Sequence, residues 1–340
     1  MADFIRMTSL KDIAREAGVS TRTVTRVLKN NGYVHKETRQ QIEAAIQKLG
    51  YHPNRAARSL RTRQSYEITV ITSSVEELHV AKLIGLEEKL RQNDYQLNLL
   101  FHHSHADNAS HETLFSEIMK QRPAGAVVLL SYSEADLTLT RFFNGQSLPY
   151  VIIDSHAPDV DTVRINRAQG VCEATLYLAG KGHRKIAFLG PKDLALSANR
   201  LEGYHRALAQ LGRSPEYLSV DFPGNADERH NLLREFGRSM KNRKDLPDAI
   251  IAYSDRVALP FLAGLLDAGI KVPDQIALVG FDNFMATDYC WPRLTTIAQP
   301  THDTGVAAAE IILQKIAGLP PPAQGWSRSL PTRLIIRESA

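Results

Sequence analysis

The stretch LKDIAREAGVSTRTVTRVL, residues 10–28, most narrows what this chain can fold into. Leu10, Ile13, Ala14 and Ala17 recur at the spacing of one helical face. Ser9, with Asp12 three positions later, reads as a helix start, because hydroxyl and carboxylate can satisfy N–H groups that a first turn leaves free. Gly18 is the stop, Val19 can plug the corner, and Ser20 can cap a second helix with a buried face of Val24, Val27 and Leu28. A third helix is expected over residues 36–49, with Ile42, Ala45, Ile46 and Leu49 on one face and Gly50 at its end. Three short helices sharing one small core are the helix-turn-helix plan.

On the second helix, Thr21, Arg22, Thr25 and Arg26 lie off the apolar face. An arginine fork matches guanine O6 and N7 in a major groove, and threonine can bond phosphates or pack its methyl on thymine. Charge agrees. Residues 1–62 hold 12 Lys+Arg against 5 Asp+Glu, and the rest of the chain holds 29 against 32, so only the head suits a polyanion. In HPNRAARSLRT, residues 52–62, Pro53 fixes the chain direction and Asn54 can cap a short helix to Leu60, too short to persist alone in water. Small Ala56 and Ala57 let two copies approach closely, and Leu60 can wedge between base steps of a minor groove.

From residue 66 the texture changes. Apolar runs at 68–71, 96–100, 126–130, 150–153, 186–189, 249–252, 276–279 and 334–336 alternate with helical stretches such as 80–93, 169–180, 200–211, 257–268 and 304–316. This alternation predicts parallel sheets with helices on both faces. The strands suffice for two sheets in tandem, a two-lobed body whose ligand would lie beyond the C-terminal strand ends. The expected class is α/β with an all-α head: a helix-turn-helix DNA-binding head over 1–51, a short helix and linker over 52–65, and a two-lobed ligand-binding body over 66–340.

The head, through residues 10–28 and TRQQIEAAIQKLGYHPNRAARSLR, resembles the DNA-binding domain of the lactose-repressor (LacI/GalR) family of bacterial transcription regulators. The body resembles the effector domain of the same family, which is similar to periplasmic sugar-binding proteins. The matching runs are GKGHRKIAFLG (180–190), RLEGY (200–204), VPDQIALVGFDN (272–283) and PRLTTIAQP (292–300). The resemblance implies that Thr21, Arg22 and Arg26 read base edges, and that Leu10, Ser20, Thr23 and Thr25 position the module on phosphates. It places Asn54, Ala57 and Leu60 in a hinge helix that orders on the operator. For the effector it implies Ser73, Asp154, Arg200, Ser254 and Asp282, most of them just past a strand. The chain departs from the family pattern at Lys29, where Asn is usual, at His35, where Ser or Thr is usual, and at Ser254, where many members carry Asn before the Asp.

Carboxylates as acceptors and a guanidinium as a multiple donor suit a polyol, and Phe222 could add an apolar face. The same residues would serve a phosphorylated sugar or, as the alternative effector, a purine or nucleoside. The sequence thus describes a transcription regulator, in all expectation a repressor, controlled by a sugar or sugar derivative. It would bind a near-palindromic double-stranded operator as a homodimer, because two-fold pairing doubles the contacts of a small head. A solute-binding protein without regulatory role fits the basic head poorly. No enzyme activity or cofactor is expected: GxSxG, HExxH and P-loop patterns do not occur, and Gly180-Lys181-Gly182 lacks a third glycine and precedes a strand. His102, His103, His105 and His111 crowd one polar loop without converging as metal ligands. Cys172 and Cys290 are far apart and read as reduced thiols. No signal peptide pattern opens the sequence, no apolar run approaches the ~20 residues of a membrane helix, and no leucine heptad follows Ala340. A cytoplasmic dimer is the expectation.

Overall fold

The computed structural model describes residues 8–28, 31–51, 65–102, 108–129, 135–155, 157, 159–193, 197–222, 224–323 and 325–340. The chain divides into two compact units, Met1–Tyr66 and Glu67–Ala340.

The first unit holds α1 (Leu10–Glu16), α2 (Thr21–Leu28) and α3 (Lys36–Leu49). The start of α1 is a reciprocal cap: the Asp12 N–H donates to Ser9 Oγ at 3.4 Å, and the Ser9 N–H donates to Asp12 Oδ2 at 2.9 Å. Gly18 takes φ +63, which lets Val19 turn back and donate to the Ala14 carbonyl at 2.9 Å. Ile13, Ala14, Val24, Val27, Ile42, Ala45 and Tyr51 form the core. Leu28, expected on the buried face, is instead 37% exposed. This small core closes over Val24 and Val27, and the last residue of α2 falls at its rim. The expected hinge helix, with Asn54, Ala57 and Leu60, lies outside the described residues.

The second unit is two α/β lobes. The first lobe's strands are β1 (Glu67–Thr72), β2 (Gln96–Phe101), β3 (Gly125–Leu129), β4 (Tyr150–Ile153), β5 (Thr162–Asn166) and β11 (Arg328–Pro331), in the order β11-β5-β4-β3-β1-β2, all paired parallel. Its helices are α4 (Glu77–Gln92), α5 (Asn108–Gln121), α6 (Ala135–Gly145) and α11 (Thr301–Ile316). The second lobe's strands are β6 (Ile186–Pro191), β7 (Glu216–Val220), β8 (Ala249–Ala252), β9 (Ala277–Asp282), β10 (Thr295–Ala298) and β12 (Arg333–Ile335), in the order β12-β10-β9-β8-β6-β7, with β12 antiparallel to β10. Around it lie α7 (Arg167–Gly180), α8 (Ala198–Leu211), α9 (Ala226–Ser239) and α10 (Asp255–Asp267). Strands β3, β4, β6, β8 and β9 are buried along their whole length, as parallel strands covered on both faces must be.

The chain passes between the lobes three times: from β5 into α7, from β10 into α11, and from β11 into β12. These crossings lie side by side. Thr332 Oγ1 donates to the Asn166 carbonyl at 3.2 Å, and a Cβ on Gly170 would fall 2.2 Å from Thr332 Oγ1 and 2.6 Å from Ile297 Cγ2. Helix α11 packs against α4 backbone to backbone: a Cβ on Gly305 would meet the Lys82 carbonyl oxygen at 1.9 Å, and one on Gly85 the His302 carbonyl oxygen at 2.2 Å.

Cys172 is buried and Cys290 half-buried, and both are free thiols. His102 and His111 meet edge to face with ring centres 4.7 Å apart, whereas His103 and His105 lie outside the described residues. Among the described residues, no helix is long and apolar enough to cross a membrane.

Candidate functional site

In the first unit, burying Val24 and Val27 turns the other side of α2 outward, and Thr21, Arg22 and Arg26 are exposed there. Among the described residues no carboxylate pairs with Arg22 or Arg26, so both guanidinium groups have donors to offer. The hydroxyls are more committed than the sequence suggests. Thr25 Oγ1 donates to the Thr21 carbonyl at 2.8 Å. Ser20 caps α2 by accepting from the Thr23 N–H at 3.2 Å, and the Ser20 and Thr23 hydroxyls lie 2.9 Å apart. Leu10, at the start of α1, is half-buried against the core.

In the second unit, the site is built where β4 and β9 end. Asp154 follows β4 with φ +64, and Asp282 ends β9 with φ +115. Such angles are uncommon for a residue bearing a side chain and mark a locally enforced turn. Asp154 accepts from Arg167 at both oxygens (Nη1 to Oδ1 at 3.0 Å, Nη2 to Oδ2 at 2.5 Å) and from the Ile165 N–H at 3.2 Å. Lys82 Nζ, from α4, stands 4.0 Å from Asp154 Oδ2. Burial pushes the Asp154 carboxyl up, but Arg167, through charge and hydrogen bonds, together with Lys82 and the Ile165 amide, outweighs it and holds the carboxyl below its ordinary value. Burial lowers the Lys82 ammonium from its ordinary value; Asp154 opposes the shift and Arg167 adds to it.

Across the cleft, Asp282 Oδ1 accepts from Gln299 Nε2 at 2.5 Å and lies 3.9 Å from Arg200 Nη2. The Arg200 guanidinium sits between the Tyr253 and Phe281 rings, 4.3 and 4.4 Å from their centres. Burial raises the Asp282 carboxyl above its ordinary value, with Arg200 and Gln299 opposing only in part. The two halves act on each other: Asp154 contributes to the field at Arg200, and Arg167 to that at Asp282. Two buried polar atoms beside Asp282, Arg200 Nε and Gln299 Oε1, have no partner among the described residues.

Asp255 underlies this half. It is fully buried, accepts from the Phe284 N–H at 2.8 Å and from Thr296 Oγ1 at 2.7 Å, and so pins the turn that follows Asp282. Burial, then the neighbouring Asp282, pushes its carboxyl up to about 8.

Of the residues expected from the sequence, the structure brings Asp154, Arg200 and Asp282 to one cleft. Ser254, two residues past β8, is 7% exposed and precedes α10 without bonding that helix's free N–H groups. Phe222 follows β7 and reaches the edge of Tyr253 at 6.0 Å between ring centres. Ser73 lies one residue past β1, half-buried, and is not among the side chains that bond either carboxylate. Neither Asp154 nor Asp282 caps a helix, the ordinary role for an Asp after a strand. Lys82, Arg167, Gln299 and Asp255 were not read from the sequence. Arg167 and Gln299 stand at two of the lobe crossings, a placement visible once the strand order is known.

Two family descriptions match the chain: the bacterial regulatory proteins of the lacI family over residues 9–54, and the periplasmic binding protein-like domain over residues 175–340. The HTH-type transcriptional repressor CytR of Escherichia coli K12 is 31% identical over 97% of this chain and 96% of its own. Among solved structures, a complex of the transcriptional regulator CelR with cellobiose is 28% identical, covers 98% of this chain and 100% of its own, and superposes with a TM-score of 0.67. A Lac repressor dimer bound to operator and an anti-inducer, 24% identical, covers 98% of this chain and 99% of its own with a TM-score of 0.75, a likeness of fold.

Proposed function

Because the chain belongs to the lacI family of bacterial regulatory proteins, we propose that it is a repressor whose grip on a near-palindromic operator is set by a sugar or sugar derivative bound in the Asp154–Asp282 cleft. The observation that carries the effector reading is the pair of unpartnered buried atoms beside Asp282: Arg200 Nε is a donor and Gln299 Oε1 an acceptor. A hydroxyl both accepts and donates, so it can satisfy the two together, and the carboxylates of Asp154 and Asp282 take further hydroxyl protons. The relative solved with cellobiose supports the same class. The Phe222–Tyr253 ring pair would also stack a flat base, which keeps a purine or nucleoside as the second reading.

On the DNA side, Arg22 and Arg26 of α2, with Thr21, read base edges, while Ser20, Thr23, Thr25 and the start of α1 at Leu10 seat the module on phosphates. On the same reading the hinge role falls to Asn54, Ala57 and Leu60, which lie outside the described residues. One head offers few contacts, and a homodimer, the state of the Lac repressor structure, doubles them in fixed register. Ligand changes DNA affinity only by the difference in its own affinity for the two lobe arrangements. Selection of bound sequences from a random duplex pool should return a two-fold site, and Asp282→Ala should keep that binding while losing every effector response. An asymmetric site would sink the dimer reading, and a retained response would sink the cleft reading.

A further inference from the structure

The cleft holds more positive than negative charge. Among the described residues its buried cations are Lys82, Arg167 and Arg200, and its buried carboxylates are Asp154 and Asp282, with Asp255 beneath them. Arg256, which also acts on Asp282, is half-exposed and neutralised by Glu76 at 2.8 Å. Arg167 and Asp154 neutralise each other through two parallel hydrogen bonds. Arg200 and Asp282 face each other at 3.9 Å. Asp255 is enclosed by Phe284 and Thr296, and with its carboxyl pushed up to about 8 it adds little negative charge near neutrality. Lys82 is therefore left over.

Its position is that of a group awaiting a partner. The Lys82 side chain is 10% exposed, and its Nζ stands 4.0 Å from Asp154 Oδ2, beyond hydrogen-bond reach of an oxygen already taken by Arg167. Among the described residues no acceptor bonds Nζ, although an ammonium carries three donors. Asp282, of the opposite half of the cleft, also contributes to its field. One helical turn earlier, His79 Nδ1 is occupied by Ser74 Oγ at 3.2 Å and supplies no negative charge. The backbone beneath Lys82 cannot retreat, because its carbonyl lies against Gly305 of α11. A buried cation without a hydrogen-bonded counter-charge is costly, and a ligand that brings one recovers that cost on binding.

We infer that the effector is a sugar acid, whose single carboxylate is bound by Lys82 while its hydroxyls meet Asp282, Arg200 and Gln299. This rests on the effector-cleft reading above and narrows it. One surplus positive charge matches a carboxylate better than a doubly charged phosphate ester, which would leave the cleft negative.

The test uses the full-length protein in thermal-shift and calorimetric titrations at matched ionic strength. The probes are gluconate, glucuronate and galacturonate, their neutral parents glucose and galactose, glucose 6-phosphate, adenosine and inosine, with acetate and inorganic phosphate as minimal anions. A sugar acid should stabilise the protein saturably, and Lys82→Met should weaken it about tenfold or more, the weight of one lost charge-assisted hydrogen bond. Asp282→Ala should abolish it. Without ligand, Lys82→Met should melt at or above the wild type, and a lower melting point would make Lys82 a structural partner of Asp154 and overturn the inference. Stabilisation by neutral sugars or nucleosides alone, indifferent to Lys82→Met but lost in Asp282→Ala, overturns the acid and leaves the cleft reading standing. Preference for glucose 6-phosphate overturns the carboxylate. If no anion, acetate and phosphate included, stabilises the wild type more than Lys82→Met, the anion site is refuted. If a sugar acid stabilises Asp282→Ala and Arg200→Met as well as the wild type, the cleft reading itself falls.

Discussion

Arg167 clamps Asp154 with two parallel hydrogen bonds and thereby fastens the first residue of α7 to the turn that ends β4. The pair is 12% and 15% exposed, so neither partner can turn to water if the other is lost. Arg167→Met should cost about 1.5–3 kcal/mol in urea unfolding at neutral pH, the weight of its charge-assisted hydrogen bonds, because Lys82, 4.0 Å from Asp154, remains to answer the carboxylate. Arg167→Lys should recover only part, since one ammonium cannot reproduce the fork. The folded Asp154 carboxyl lies below its ordinary value, so its contribution is complete above the unfolded pKa and disappears as pH falls through the folded one. The penalty of Arg167→Met should shrink in strong acid; a penalty equal at all pH values would mean that shape, not charge, is what Arg167 supplies.

Asp255 gives the opposite dependence. Its carboxyl sits at about 8 in the folded protein against 3.8 for the free side chain, so the folded state keeps a proton that the unfolded state releases. Stability from this group should fall as pH rises from about 4 to about 8. Asp255→Asn should lower stability at pH 5, because an amide nitrogen cannot accept as a carboxyl oxygen does, and should flatten the decline toward pH 8. Denaturant titrations at the two pH values read both effects, and an unchanged slope would show that Asp255 is ionised in the fold.

Gly305→Ala places a methyl group 1.9 Å from the Lys82 carbonyl oxygen, which only a shift of whole helices can relieve. Overpacking of this kind should cost about 1–3 kcal/mol or more. Gly145→Ala, with open space around its Cβ position, is the control and should change the melting curve little.

Arg22→Ala should weaken binding to the best selected operator by about 1–3 kcal/mol and relax base preference at one position per half-site. Thr25→Ala should cost less, because the Thr25 hydroxyl already donates to Thr21 within α2. Fluorescence anisotropy on matched and mismatched duplexes separates the two effects. An equal loss on all sequences would make Arg22 a phosphate contact.

The head was legible because its helices carry their own punctuation: the Ser9–Asp12 cap, Gly18 at positive φ and Gly50 at positive φ appear where the residues say. The buried central strands were equally plain as apolar runs. The strands missed were β5 (TVRIN), β7 (EYLSV), β10 (TTIA) and β11 (RSLP), which lie at or next to sheet edges and alternate polar residues with few large apolar ones. Helices α5 and α9 are polar enough to pass for loops. Asp154 and Asp282 were legible through the family resemblance, and each also ends an apolar strand, where the fold rule places a ligand. Lys82 was not, because a lysine within a surface-like helix gives no sign that its ammonium is enclosed, and Gln299 was not, because its neighbour Asp282 is close only after two strands pair.

The three adjacent crossings near Asn166, Ile297 and Thr332 have a mechanical consequence. Two bodies joined by one strand can swing, slide and twist independently. Joined by three strands bound to one another, they keep one easy rotation, about the line on which those strands lie. Whatever enters the cleft then acts through a single angle. A bulky side chain at Gly170, one turn along α7 from Arg167, would jam that angle by meeting Thr332 and Ile297 at the crossings.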